Sequence, residues 1–559
     1  MLLWLGGASA SVRIEIDFAK PWRPAPGSEA SPIIRPVWKR QNAWMPWKRW
    51  DPAAPPRFEQ SIGEIALVMA TGARPDGEFT VPDLYRDSAG ILAPFDPGHP
   101  FFRALAILMA QGLRPLVDIG PVPIALCRPD HRTPGVFGWV TDGPVDYEKY
   151  YRYIKALFTH LRTAGPFSAE EVDRWGYQLL REPDNGDSWN PRSVAGVSDP
   201  GNMLEYEHLY DCTLAGMRDA GVKANLGLGN LVIPNVGSLG AKDAWTAPLI
   251  SWLASNADNR CPEHLTLPRV RSESDTLDFA FSGYGGEGTQ VGKDPRGLES
   301  ITSAFRLAIR RAFPRNPIRI SVGEGNLFSP GLLLRSEGSE MGAAWNAAIF
   351  KVAEDAGIHR YVQWGFVSAS HVSQFVEHGG LPSASANVVE MYRRMEGKPR
   401  AAVQAHRSGL SFSPPYIDGI ASHVSPGENQ FLIYHYRAER GASVNQSVLV
   451  RLRGLQPGRA YGLKHFHVDA GHANYLPALE RDLKAKGLSV ASADACMEHQ
   501  FGAAERAVWD ANKETYRKLS RLLETKEGLP DSLRADGNGR TEAWIDLPAN
   551  SVLLVEMRS

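Results

Sequence analysis

The spacing of apolar positions changes character near residue 397. Before it, short unbroken apolar runs alternate with longer stretches whose apolar positions recur every three or four residues. The runs lie at 115–119, 177–180, 224–228, 277–281, 318–322 and 361–364. Two weaker runs lie near 33–38 and 65–73. The intervening stretches read as amphipathic helices. The clearest follows Asp146, an N-cap residue by type, with Tyr147, Tyr151, Ile154, Phe158 and Leu161 along one stripe. Further helices are predicted over 203–220, 298–312 and 342–356. Eight runs separated by helices predict a parallel sheet closed into a (β/α)8 barrel, an α/β fold.

Beyond residue 397 the alternation shortens to period two, in 430–436, 447–452 and 552–557. That pattern, with turn residues between runs, predicts an antiparallel β-sandwich. Residues 12–17 alternate in the same way and are expected to add a strand to it from the N-terminus. A charged helical insertion over 503–526 interrupts the sandwich and reads as a solvated face. The expected division is 1–25 for the N-terminal strand, 26–397 for the barrel and 398–559 for the sandwich.

The 559 residues suit a barrel of roughly 250–350 residues plus one smaller unit. A net charge of −1 gives no sign of a polyanionic partner, so nucleic acid is not expected. Every stretch approaching about 18 apolar residues is broken by charge; Arg103, Arg114 and Asp118 interrupt the best one, so no membrane span is expected. Cys127, Cys212, Cys261 and Cys496 are scattered without metal or disulfide spacing and read as isolated thiols in or near the core. No metal or cofactor is implied. Residues 1–11 are apolar but lack the basic start of a secretory signal, which favours the cytoplasm over export and leaves a trimmed remnant or a misplaced start open.

Two glutamates carry the candidate chemistry. Glu182 ends the run Trp175-Gly-Tyr-Gln-Leu-Leu-Arg-Glu, and Glu324 ends Ile318-Arg-Ile-Ser-Val-Gly-Glu. An ionised carboxylate directly after a buried strand costs several kcal/mol to desolvate unless paired, so packing does not explain it. In a barrel the C-terminal strand ends form the active-site rim. Carboxylates on strands four and seven are placed to flank one glycosidic bond.

The ordered set Arg114-Pro-Leu-Val-Asp-Ile-Gly-Pro-Val-Pro-Ile-Ala-Leu126, Asp146-Tyr-Glu-Lys-Tyr150, the stretch from Trp175 to Trp189, and Lys464-His-Phe-His-Val-Asp-Ala-Gly-His-Ala-Asn474 resembles glycoside hydrolase family 39. That family holds β-xylosidases, α-L-iduronidases and relatives among the retaining (β/α)8 glycosidases. The resemblance covers most of the chain. It implies a carbohydrate substrate, Glu182 as acid/base and Glu324 as nucleophile, and members that often self-associate. In that mechanism Glu182 starts protonated and Glu324 ionised.

Departures from the family pattern concern the sugar subsite. Arg181 stands where the family has the asparagine before the acid/base, Asp76 where it has a histidine, and Ser282 at a second histidine, two residues before a retained Tyr284. Arginine is a fixed cation with five donors and does not replace asparagine neutrally. Either Asp76 and Arg181 pair and rebuild the subsite, or Arg181 meets a substrate carboxylate; both argue against a simple β-xyloside. Trp364 matches the family's tryptophan after strand eight and is an expected sugar platform. Trp189 and Trp139 are loop candidates for the same role, and His131 reads as a surface histidine. The expected function is a retaining, exo-acting glycoside hydrolase. A non-catalytic glycan-binding protein on the same barrel, or a transglycosylase, remains the alternative.

Overall fold

The computed structural model describes residues 12–24, 30–35, 40–42, 64–70, 84–88, 91–110, 112, 114–129, 140–184, 189–192, 200–224, 226–232, 245–255, 261, 276–282, 294–314, 318–326, 338–364, 376–377, 381–407, 416–439, 441, 444–488 and 502–559. Eight strands close into a barrel: Arg40–Asn42, Glu64–Ala70, Arg114–Gly120, Gly176–Arg181, Leu226–Val232, Thr276–Ser282, Arg319–Asn326 and Arg360–Trp364, here numbered one to eight. Each pairs in parallel with the next, and strand eight pairs with strand one. Parallel pairing forces each connection back over the outside, and among the described residues helices lie in the connections from strand two onward. Val117, Ile119, Tyr177 and Leu179 share one core with those helices. Asp118 and Gln178, in register across strands three and four, are buried on the alternating face, which lines the barrel interior.

The helix Tyr147–Thr163 begins where the sequence predicts. Asp146 caps it by accepting from the Lys149 amide at 3.1 Å. Tyr151, Ile154, Phe158 and Leu161 are buried along the expected stripe. Strand one is a correction. The sequence placed it near 33–38, but Ile33 makes only an isolated bridge to Pro399 and the barrel strand is Arg40–Asn42. Pro32 and Pro36 have no N–H to give a ladder, and Ile34 exchanges backbone bonds with Gly397 and Lys398. Strand five begins at Leu226 rather than 224.

The C-terminal part forms one ten-stranded sheet. Val12–Pro21 enters it between Arg400–Arg407, to which it is antiparallel, and Asn445–Arg453, to which it is parallel. Ile14 and Ile16, Phe431 and Ile433, Val448 and Val450, Tyr461, and Ile545 and Leu547 belong to one core cluster. Strands from both ends of the hydrogen-bonded order thus share a core, so the sheet curls over its own inner face. The strand Glu428–Tyr436 is buried on both sides: Phe431 and Ile433 face that core, while Leu432, Tyr434 and Tyr436 pack with the barrel helices. The insertion contains the helix Ala503–Leu519, mostly exposed, with Val508, Trp509 and Tyr516 packed against Tyr475, Leu476, Leu479 and Leu483. The segment Asp469–Asn474 ties sheet to barrel. Asn474 donates to Glu340 at 2.9 Å, and Asn387 donates to the carbonyls of Ala473 and Ser520, each at 2.8 Å.

A buried charge network spans the same junction. Lys351, on the helix Glu340–Asp355, lies 2.7 Å from Asp355 and 3.0 Å from Asp418 of the strand Tyr416–Ser425. Arg400 pairs with Asp355, lies 3.7 Å from Glu354, and stacks over the Trp22 ring. Burial pushes the Glu354 carboxyl up to about 8, against the pull of Arg400. A carboxyl that holds its proton more tightly folded than unfolded stabilises the fold fully below its unfolded pKa of about 4.5, and that stabilisation drains as pH rises through about 8. Glu354→Gln keeps the neutral form and is expected to remove roughly 3 kcal/mol of pH-dependent loss between pH 5 and 8. Urea unfolding of both proteins at the two pH values checks this; parallel pH dependence in the two would refute it.

Candidate active site at the barrel rim

Strand four carries Glu182 out of the barrel through two non-glycine residues with positive φ, Leu180 at 57° and Glu182 at 50°. Bulky and charged side chains rarely adopt the left-handed region, and where they do the surrounding structure must hold them there. Here two glycines make the room. A Cβ on Gly120 of strand three would stand 2.3 Å from the Leu180 side chain, and one on Gly229 of strand five would stand 2.1 Å from the Leu179 carbonyl oxygen. Glu182 is half-buried at the C-terminal rim, and Pro183 and Asp184 beyond it are buried.

Strand seven extends to Asn326, so Glu324 lies within its last turnings rather than after its end. The ladder to strand six slips by one residue here: Val322 pairs with Phe279 and Glu324 with Ala280, leaving Gly323 as the extra residue of a bulge. Bulges of this kind recur beside active sites, where they redirect a strand end. Gly325 is required by the Tyr361 ring, which would lie 2.3 Å from an added Cβ. Trp364 is the last residue of strand eight, on the same rim by backbone position. Arg181, in register with Asn230 of strand five, immediately precedes Glu182. Glu182, Glu324, Arg181 and Trp364 therefore share the C-terminal end of one barrel. Asp76 and Tyr284 lie outside the described residues, as do Trp139 and His131.

Trp189 is corrected. Its side chain is 2% exposed, its indole N–H donates to the Asn202 carbonyl at 2.9 Å, and its ring packs near Gly143. Asn202 in turn donates to Asn190 and accepts from the Arg192 amide, while the Asn190 amide donates to the Thr141 carbonyl at 2.8 Å. The tryptophan staples the loop after strand four to the loop after strand three, which leaves no open face for a sugar. Arg128 reinforces the staple through the Pro191 carbonyl and the buried Asp142. Cys127, Cys212 and Cys261 are free and buried, as expected of thiols in the core, and Cys212 and Cys261 lie close enough to influence one another. Burial first, then Cys261, drives the Cys212 thiol upward and leaves it unreactive. Cys496 lies outside the described residues.

The residues that sequence inspection missed are those that shape strand four. Gly229 carries a legible signal, a glycine inside a strand pattern, which marks close backbone approach. Tyr206, whose hydroxyl accepts from the Gly229 amide and donates to the Leu179 carbonyl of strand four, carries none. Among the described residues no group of three His, Cys, Asp or Glu is placed to hold a metal ion, and no helix is long and apolar enough to cross a membrane.

No family model matches the chain, and no curated protein matches it in sequence. Among solved structures it is similar to the GH39 enzyme from Xanthomonas axonopodis pv. citri, at 15% identity and a TM-score of 0.67, with all of both chains covered. It is similar to a monomeric β-xylosidase from Caulobacter crescentus CB15, at 14% identity and a TM-score of 0.65, over 98% of this chain and 99% of the other. A bacterial orthologue of human α-L-iduronidase matches at 13% identity and a TM-score of 0.62, over 98% of this chain and 84% of the other. At such identities the likeness establishes the shared fold.

Proposed function

We propose that this chain is a retaining, exo-acting glycoside hydrolase with a carbohydrate substrate, Glu324 its nucleophile and Glu182 its acid/base. The observation that carries the proposal is the placement of Glu182, at φ 50° on the end of strand four, and Glu324, at the bulged end of strand seven, on one rim of the closed parallel barrel. The fold shared with a β-xylosidase and a GH39 enzyme supports it. In the first step the Glu324 carboxylate attacks the anomeric carbon as Glu182 gives its proton to the departing oxygen, leaving a glycosyl ester. In the second, Glu182 takes a proton from water, whose oxygen displaces Glu324 with a second inversion, so the product keeps the substrate's configuration. Two carboxyls supply every proton and bond, and the mechanism calls for no metal or cofactor.

We assign the barrel to residues 26–397 and an accessory sandwich to 398–559 with 1–25. The substrate differs from a simple β-xyloside because Arg181, a permanent cation, directly precedes the acid/base in the sequence. It either pairs with Asp76 or receives a sugar carboxylate. The test is a panel of aryl xylosides, arabinofuranosides, arabinopyranosides, galactosides, glucosides and uronides in both anomers, with proton NMR of the first-formed sugar. Release of one sugar with retained configuration is expected. An inverted first product rejects the mechanism, and ordinary turnover of the β-xyloside rejects the substrate clause. Silence across the panel together with a glycan-induced thermal shift would make the chain a binding protein.

A further inference from the structure

We infer that Tyr206 is a positioning residue for Glu182, its buried hydroxyl inserted between barrel strands four and five to hold the turn that delivers Glu182 to the rim. The inference rests on the proposed acid/base role of Glu182. Strands four and five pair at Leu179 with Leu228 and again at Arg181 with Asn230, but the ladder is interrupted between them. At the gap, the Gly229 amide donates to the Tyr206 hydroxyl at 2.9 Å, and that hydroxyl donates to the Leu179 carbonyl at 3.2 Å. One side-chain oxygen thus replaces a direct backbone bond, and both buried groups stay satisfied while Leu180 turns through positive φ.

The rest of the setting fixes that oxygen in place. Tyr206 comes from the helix Pro200–Asp219, is fully buried, and packs with its ring 5.9 Å from Trp245. Burial drives its hydroxyl upward and neighbouring Asp184 adds to this, so the proton donated to Leu179 is never lost in the working range. Gly229 cannot carry a side chain, because a Cβ would lie 2.1 and 2.3 Å from the carbonyl oxygens of Leu179 and Leu180. Tyr206 reaches the one part of strand four whose geometry departs from a regular strand, three residues before the candidate acid. Nearby Tyr210 is also fully buried, yet its hydroxyl donates at 2.5 Å to the Leu226 carbonyl, at the far end of strand five. It is the natural control.

Tyr206→Phe and Tyr210→Phe in the full chain test the inference. An acid that is slightly misplaced fails most where protonation matters most. On the sugar found active, kcat/KM of Tyr206→Phe should fall at least about tenfold more for a phenyl than for a dinitrophenyl leaving group. Tyr210→Phe should lower both alike or neither. Amide exchange at Gly229 should accelerate at least about hundredfold in Tyr206→Phe and stay unchanged in Tyr210→Phe. A leaving-group dependence in Tyr206→Phe equal to wild type overturns the inference whatever the absolute rate. If wild type cleaves no glycoside, the role of Glu182 falls separately, and unchanged Gly229 protection in Tyr206→Phe overturns the clamp itself.

Discussion

Glu324→Ala should lower kcat/KM on the best aryl glycoside by at least about 10⁴-fold, the scale on which removing a covalent nucleophile acts. Azide should restore part of the turnover as a glycosyl azide of inverted configuration. The physical reason is stereochemical. With the carboxylate gone, a small anion can occupy the vacated face and displace the aglycone once instead of twice, so one inversion survives in the product. Glu182→Ala predicts the opposite signature, since an anion attacking the surviving glycosyl ester from the other face returns retained azide. The two variants therefore distinguish the roles and do more than report two dead proteins. Thermal stability of Glu324→Ala should be no lower than wild type, because functional carboxylates are held at a cost to the fold. A Glu324→Ala protein that keeps even a tenth of wild-type turnover removes the nucleophile assignment. Azide rescue with retention in that variant would exchange the two glutamates.

The barrel was legible wherever its strands are continuous apolar runs. Strands three, four, six, seven and eight lie within two or three residues of the predicted positions, apart from the C-terminal extension of strand seven, because parallel strands are covered on both faces. Strand one was not legible: Arg40–Asn42 is three polar residues long, and only its two neighbours in the ring define it. The glutamates stood out because a charge ends an apolar run. The backbone that presents Glu182 did not, since nothing about a leucine announces positive φ. Its signal sits on other strands, as Gly120 and Gly229, which sequence order separates from Leu180 by 60 and 49 residues. Trp189 shows the limit from the other side. An aromatic in a rim loop serves equally as platform or staple, and the deciding contact, to the Asn202 carbonyl, is tertiary. Period-two alternation marks 430–436 as a strand, but that the barrel helices cover one of its faces is again a tertiary fact.

That covered face makes the junction between barrel and sheet the place where the fold is most exposed to a single substitution. Lys351→Met should destabilise the protein by about 3–5 kcal/mol, the cost of leaving buried carboxylates without their cation. Lys351 is held well in its charged form, because Asp418 and Asp355 outweigh the desolvation that opposes it. Asp355 keeps Arg400 when the lysine goes, whereas Asp418 keeps, among the described residues, the Gly419 amide at 2.7 Å. Methionine fills the volume of the lysine stem, so the loss reads out charge rather than a cavity. Adding Asp418→Asn to Lys351→Met should return most of the stability, because Asp355 still pairs with Arg400 and no charge is left unpaired. Urea midpoints of wild type, Lys351→Met and the double variant decide it. A single-variant loss below about 1 kcal/mol would place the network among ordinary surface pairs. A double variant no better than the single would assign the loss to packing. Activity per folded molecule should not change in either variant, since Lys351 joins helix to sheet on the outside of the barrel while Glu182 and Glu324 stand on its rim.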